Sequence, residues 1–324
     1  MFELFLGNQT GFLSQTSIDP CVQWATFADE PARTRCAANG IPGDYNGAGT
    51  SATIISGGGA GNLKEEESRS DIFSFVWKPT FADLNVRVDA WQIAVTDQVN
   101  QFGASNILGA CYYDQTGNAN YFCGLFTRDP VTFNILTVED TYVNIDKTEV
   151  EGIDLKILYR KDFSFGDLTI DSQHRWTTFN GTGLFDEAVL SNNAGSIGDP
   201  IYNSVTQVRF VKKDWTAAWT INATGPASHV RYFGSDTLGI APGSNYSFQG
   251  LTALKYKMDV ETTITHDFSI RYRSDEWTVV GAVSNLFNEP PPSVSAGVYF
   301  GYLGTHPLAS QYDFVGRSAT FQII

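Results

Sequence analysis

The 324-residue chain carries 35 acidic against 21 basic residues, a formal charge of −14, and only 17% charged residues beside 14% aromatics. A nucleic-acid partner is excluded on charge, because a phosphate backbone needs a basic face and none is visible. An average soluble enzyme carries about a quarter charged residues, so this balance of Phe, Tyr, Thr, Ser, Asn and Gly points instead to strands joined by turns. No stretch approaches the roughly eighteen consecutive apolar residues of a membrane-crossing helix, and the first residues lack a basic segment followed by an apolar core.

Met1 to Leu63 has no sustained periodicity and holds Asp19-Pro20, Ile41-Pro42-Gly43 and the glycines 57, 58, 59 and 61. It reads as one long loop, and residues 1–69 are taken as a loop segment. The glycine cluster lacks the Lys-Ser or Lys-Thr of a phosphate loop and follows no strand pattern. The four cysteines fall in two local pairs, Cys21 with Cys36 and Cys111 with Cys123. An even count at short separation suits two loop disulfides in an oxidising compartment, with free thiols and a metal site as the alternatives. The four histidines, His174, His229, His266 and His306, lack ligand spacing, so no zinc is expected.

From Ser70 the texture becomes period-two. Phe73, Phe75 and Trp77 alternate with Ser74 and Val76 until Pro79. Leu84, Val86, Val88 and Ala90 alternate with Asn85, Arg87 and Asp89, and then Trp91, Ile93 and Val95 carry the apolar set, a change of parity that predicts a bulge near Ala90. Residues 98–142 form an excursion with a helical turn over 105–111. Strand texture returns with Ile153, Leu155, Ile157 and Tyr159, and again with Leu168 to Trp176, whose opposite face shows Thr169, Asp171, Gln173 and Arg175. That polar row fits a wet lumen better than a dry sandwich core. After residues 180–203 come Val205 to Val211, a Lys212-Lys213-Asp214 turn, and the cleanest alternation of the chain, Trp215, Ala217, Trp219, Ile221 and Ala223 against Thr216, Ala218, Thr220, Asn222 and Thr224. A further excursion to Gly250 precedes one long strand over 255–272, the strand opening at Trp277, and a closing strand within 312–324. About nine strands result, each of the length that crosses a bilayer when tilted.

Connections alternate short and long, as in outer-membrane barrels with tight periplasmic turns and large extracellular loops. Trp77 precedes a short turn while Trp215 and Trp277 each follow one. All three are therefore expected at one height, as an aromatic girdle at the membrane interface; packing in a dry core is the competing reading.

Several segments resemble TonB-dependent outer-membrane receptors: SNLFNEPPP (284–292), the closing YDFVGRSATFQII (312–324), NLKEEES (62–68), DPC (19–21) and RCAANGIP (35–42). ILGACYY (107–113), FCGLFTRDP (122–130) and TEVEGIDLKILYR (148–160) add to the likeness, which covers essentially the whole chain. The resemblance implies an all-β, antiparallel transmembrane barrel of roughly twenty-two strands plugged by an N-terminal domain, of which residues 70–324 would be the C-terminal part and residues 1–69 a long extracellular loop. It implies the bacterial cell outer membrane, lipid contact, uptake of a scarce small-molecule ligand, and energy from a TonB complex acting through a plug and barrel half that this chain lacks. No cofactor is implied. The cysteine loops look like those of receptors linked to carbohydrate uptake, which puts an oligosaccharide first and a siderophore close behind. FELF (2–5) looks like the family's ELF motif at the outer end of a mid-barrel strand, so the expectation is a C-terminal fragment. Two departures stand out: Glu65 replaces the usual Pro after NLK, and the chain ends in Ile324 where many barrels end in Phe or Trp, although Phe321 and Ala319 keep the alternation from Ile323.

The sequence offers no enzyme constellation. GxSxG, HExxH and a phosphate loop with its Lys are absent, and Asp171 and His174, three apart on a strand, point to opposite faces. Loop aromatics such as Trp24, Tyr112, Tyr113, Tyr246 and Tyr299 are candidates for stacking on a sugar, against the plainer reading that they pack their own loops. A secreted, soluble β-rich carbohydrate-binding module is the alternative to a membrane barrel, and a need for detergent separates the two.

Overall fold

The structure is a computed structural model that describes residues 2–28, 30–47, 49–113, 119–184, 190–230, 234–239, 253–295, 305–308 and 311–324. Its largest feature is an antiparallel meander of nine strands: β1 (Glu67–Trp77), β2 (Asp83–Asn100), β3 (Val143–Phe163), β4 (Gly166–Leu184), β5 (Tyr202–Lys212), β6 (Trp215–Thr224), β7 (Thr263–Arg273), β8 (Thr278–Ser284) and β9 (Ser318–Ile323). Each strand pairs with its sequence neighbours, and the short strand Ser191–Asn192 adds to β4. Tight turns join β1 to β2, β3 to β4, β5 to β6 and β7 to β8. At the β5–β6 turn, Lys212 pairs with Trp215 across Lys213, which takes a left-handed φ of 51°.

Register turns the period-two pattern into two chemically distinct faces. Asn203, Val205, Gln207 and Arg209 of β5 stand beside Arg175, Gln173, Asp171 and Thr169 of β4 and beside Thr224, Asn222, Thr220 and Ala218 of β6. Thr263, Thr265, Asp267 and Ser269 of β7 continue that polar face. On the other face Trp215, Ala217 and Trp219 stand beside Tyr272, Ile270 and Phe268, and Gly281 beside Phe321. A sheet of this kind has one wet side and one apolar side.

The chain divides into two compact units, residues 1–69, 94–149 and 182–191 in one, and residues 70–93, 150–181 and 192–324 in the other. The first corrects the single-loop reading of the N-terminal stretch. Gln9–Ser14 pairs antiparallel with Ser51–Ser56, which pairs in parallel with Ile135–Glu139, itself antiparallel to Phe126–Arg128. Helices Ala32–Ala38, Ala104–Tyr113 and Ala119–Cys123 accompany this sheet, with a core that includes Ile18, Ala32, Ile54, Ile107, Leu108, Tyr112, Phe122, Ile135 and Val138. Disulfides join Cys21 to Cys36 and Cys111 to Cys123, with Cα atoms 5.7 and 4.9 Å apart. Periodicity missed this unit because its strands are short and its order comes from helices, cross-links and long-range pairing. The glycine cluster has a steric role: a Cβ on Gly58 would strike the Leu4 carbonyl and one on Gly59 the Tyr142 carbonyl.

Three further expectations are corrected. Phe2–Phe5 is a short helix rather than the end of a wall strand. The predicted strand over 255–272 is broken into Ala253–Lys255, Asp259–Val260 and β7, because Asp259 and Val260 leave the wall to pair with Ser228 and Ala227. The bulge at Ala90 is absent in its simple form: Arg87, Asp89, Trp91 and Ile93 all line one cavity, so the alternation runs through Ala90 and the wet face itself becomes aromatic.

Candidate functional site

Several charged side chains on the wet face of the wall are paired. Asp154 of β3 receives two hydrogen bonds from Arg175 of β4, at 2.9 and 2.8 Å, a bidentate geometry that fixes the guanidinium plane. That plane lies 5.4 Å from the centroid of the Trp91 ring, within cation–π range. Gly152 completes the stack, since any Cβ there would collide with the Trp91 indole. Nearby, Arg87 Nε and Ser74 Oγ both donate to Asp89 Oδ1, at 2.8 and 2.5 Å. Lys156 reaches Asp171 at 3.8 Å, and Asn222 donates to Asp267 at 2.9 Å. Around these groups lies an open groove of about 590 Å³ lined in part by Arg87, Asp154, Lys156, Gln173, Arg175 and Asn203. Such a surface can bind polar groups by hydrogen bonds and paired charges. His174 faces away from Asp171, bonding instead to Ser172 and Tyr202.

The three predicted girdle residues stand at the tight-turn end of the wall with half their surface open: Trp77 is 45% exposed, Trp215 50% and Trp277 45%. They do not stand alone. Trp215 packs 4.7 Å from Tyr272, which is 5.5 Å from Trp277, while Trp77 meets Phe81 at 6.3 Å. Phe163, Phe165 and Phe210 extend the aromatic row along the same ends of β3, β4 and β5, at 5.1 and 5.9 Å. Sequence reading found the tryptophans by their distance from turns, and missed the phenylalanines because that residue is so common here.

In the disulfide-bearing unit the ordering contact is one that composition alone does not reveal. Arg128 donates through Nη1 to Asp19 Oδ2 at 2.7 Å and through Nη2 to Asp19 Oδ1 at 2.9 Å. Asp19 is fully buried and Arg128 nearly so. Asp19 Oδ1 also accepts the Cys21 amide at 2.9 Å, and Arg128 Nη1 donates to the Phe133 carbonyl at 2.6 Å. Burial alone would lower the Arg128 guanidinium pKa; hydrogen bonds and charge from Asp19 outweigh it and hold the group above its ordinary value. Tyr45 is pushed up to about 12, first by burial and then by the Asp19 charge.

The candidate sugar-stacking aromatics have structural duties here. Tyr112 is 1% exposed, Trp24 donates its indole N–H to the Ile41 carbonyl at 3.0 Å, and Tyr113 packs on the core. Tyr246 and Tyr299 lie outside the described residues. Among the described residues no group of three or more His, Cys, Asp or Glu side chains is placed to hold a metal ion.

Asp140 supplies a pH dependence. Its buried carboxylate accepts the Gly103 amide at 2.8 Å, yet burial raises its pKa and that hydrogen bond only partly offsets the rise. A carboxylate with a raised folded-state pKa makes the folded unit bind the proton more tightly, so stability falls as pH climbs from the ordinary carboxylate range through the raised value. Asp140→Asn is expected to flatten that fall and leave the unit more stable at neutral pH. Urea midpoints between pH 4 and 7 measure it, and an unchanged slope contradicts the assignment.

A sequence profile described as TonB dependent receptor-like, beta-barrel matches residues 32–286. No curated protein gives a significant match. Among solved structures, the chain is similar to the FrpB iron transporter from Neisseria meningitidis, at 12% identity and a TM-score of 0.44, over 84% of this chain and 32% of that one. It is also similar to the siderophore receptor PirA from Acinetobacter baumannii, at 14% identity and 0.46, over 85% and 34%. The outer membrane transporter YddB from Escherichia coli gives 9% and 0.48, over 83% and 33%. The chain thus spans about a third of the length of these structures. With the profile running through most of the two-faced wall, the chain belongs to the TonB-dependent receptor β-barrel family of the bacterial outer membrane.

Proposed function

We propose that this chain forms part of the wall and the extracellular ligand-catching unit of a receptor that imports a scarce, polar small molecule across the outer membrane. The observation that carries the reading is the two-faced sheet: a paired-charge lumen side through Arg175, Asp154, Lys156 and Asp171, and an apolar side through Trp215, Trp219, Ile270 and Phe321. Trp77, Trp215 and Trp277 serve as the periplasmic girdle, and the disulfide-bearing unit lies outside the cell. The remaining strands and a plug come from polypeptide beyond these residues, and the plug receives energy from the TonB complex. No step of bond chemistry is assigned to the chain.

An oligosaccharide is the ligand class put first, because the two cysteine loops look like those of carbohydrate receptors; a ferric siderophore is the competitor. Deleting the coding region and following uptake of labelled oligosaccharides and ferric siderophores tests this. Energy-dependent oligosaccharide uptake should vanish and return on complementation. Loss of siderophore uptake alone reassigns the ligand, and loss of neither removes the import reading. Recovery of the chain as a soluble secreted protein favours the carbohydrate-binding module instead.

A further inference from the structure

On the apolar face of β4 and β5 the chemistry changes partway up the strands. The rungs next to the tight turns are Leu168 beside Phe210 and Ile170 beside Val208; above them Thr206 stands beside Ser172, Ser204 beside His174, and Tyr202 beside Trp176. Ser172 Oγ lies 2.6 Å from Thr206 Oγ1 and 2.8 Å from His174 Nε2, and the Tyr202 hydroxyl lies 2.7 Å from His174 Nδ1. The rings form one layer, His174 at 5.8 Å from Trp176 and 6.0 Å from Tyr202, with Trp176 and Tyr202 5.2 Å apart. The contacts form one continuous chain, Tyr202 to Nδ1, Nε2 to Ser172 and Ser172 to Thr206, in which each neighbouring pair can share one proton.

A polar side chain on a lipid-facing wall must find its partner within the protein or reach headgroup water. Ser172 and Thr206 do the first. The layer above them is built of amphipathic rings, the kind that sit at headgroup level. Its height can be estimated from β5, which has 11 residues from Tyr202 to Lys212. Ten steps of about 3.3 Å give a length of roughly 33 Å, and a tilt of about 45° gives a rise of roughly 23 Å. The lower aromatic row of Phe210, Trp215 and Tyr272 stands at the Lys212 end. The two aromatic layers are therefore separated by about the ~25 Å height of an outer-membrane apolar band.

We infer that Trp176, Tyr202 and His174 form the outer-leaflet boundary of the wall, seated against the lipid headgroup layer, and that β4 beyond Trp176 stands clear of the hydrocarbon. The inference rests on the outer-membrane reading of the sheet and adds the depth at which it sits. It also separates the two histidines of this face. His266 lies lower, beside Ile221, where it accepts the Trp219 indole N–H at 3.2 Å and so keeps that donor satisfied inside the apolar band.

Spin labels on single cysteines test the depth in outer membranes containing the receptor; all four native cysteines are in disulfides. Val208→Cys, Tyr202→Cys, Trp176→Cys and Thr178→Cys are compared by collision with dissolved oxygen and with an aqueous nickel chelate. The oxygen-to-nickel ratio should be highest at 208, fall at 202 and 176, and favour nickel at 178. Labels at 202, 176 and 178 as oxygen-rich as the one at 208 overturn the boundary while leaving the membrane reading intact. Nickel access at 208 as well overturns the membrane reading itself. Thr178→Cys leaves the ring layer untouched, so the test survives a failure of Tyr202→Cys or Trp176→Cys to insert.

Discussion

Produced on its own, the 324-residue chain is expected to give no closed, conducting barrel. Among the described residues the wall is a linear path of nine strands ending at β1 and β9, and every residue of both edge strands is exposed. Nine strands that alternate in direction leave β1 and β9 running the same way, so they cannot join as an antiparallel pair. Two copies fare no better, because a two-fold along the barrel axis sets β9 of one chain parallel to β1 of the next. Each backbone group left unpaired in hydrocarbon costs several kcal/mol, which over two edges exceeds the ~5–15 kcal/mol stability of an ordinary domain. Closure needs an added segment with an odd number of antiparallel strands. The chain alone should show no heat-modifiable band on a gel and no liposome swelling; a folded band with conductance contradicts this.

The second large effect falls on Asp19. Asp19→Asn leaves the Arg128 charge without its counter-ion and its bidentate acceptor in a nearly dry site, and breaking a buried pair from one side costs about 3–5 kcal/mol. The cost includes a weakened acceptor for the Cys21 amide. In receptor-bearing membranes, urea should expose the disulfide-bearing unit to protease at a clearly lower midpoint, with the heat-modifiable barrel band unchanged. Arg128→Met added to Asp19→Asn removes the stranded charge and should recover part of the loss, since replacing both ions by neutral groups is often nearly neutral. An Asp19→Asn midpoint equal to the parent's shows that the pair does not hold this unit.

The wall was legible in the sequence and the disulfide-bearing unit was not, for a physical reason. Trp215 to Thr224 reads as a strand because the pleat sends alternate residues to lipid and to water, and that difference is written in every second letter. Residues 9–14 and 51–56 form strands too short to repeat such a pattern; their unit is held by two local disulfides and by the buried Asp19–Arg128 contact, whose members lie far apart in the chain. The signal was present in the DPC and FTRDP motifs, yet nothing in either one names the other as its partner. Trp91 misled in a different way, since an aromatic on the wet face reads as a parity change until Arg175 and Gly152 are seen to enclose it. The same limit hid the Ser172–His174–Tyr202 layer, whose members belong to different strands.

The two-faced wall is the central claim, and β6 tests it most directly. Single cysteines placed in turn at residues 216 to 223, labelled in outer membranes containing the receptor, should alternate strictly: 217, 219, 221 and 223 should report lipid, and 216, 218, 220 and 222 water. A uniform profile along the strand, or lipid contact at the even positions, contradicts it.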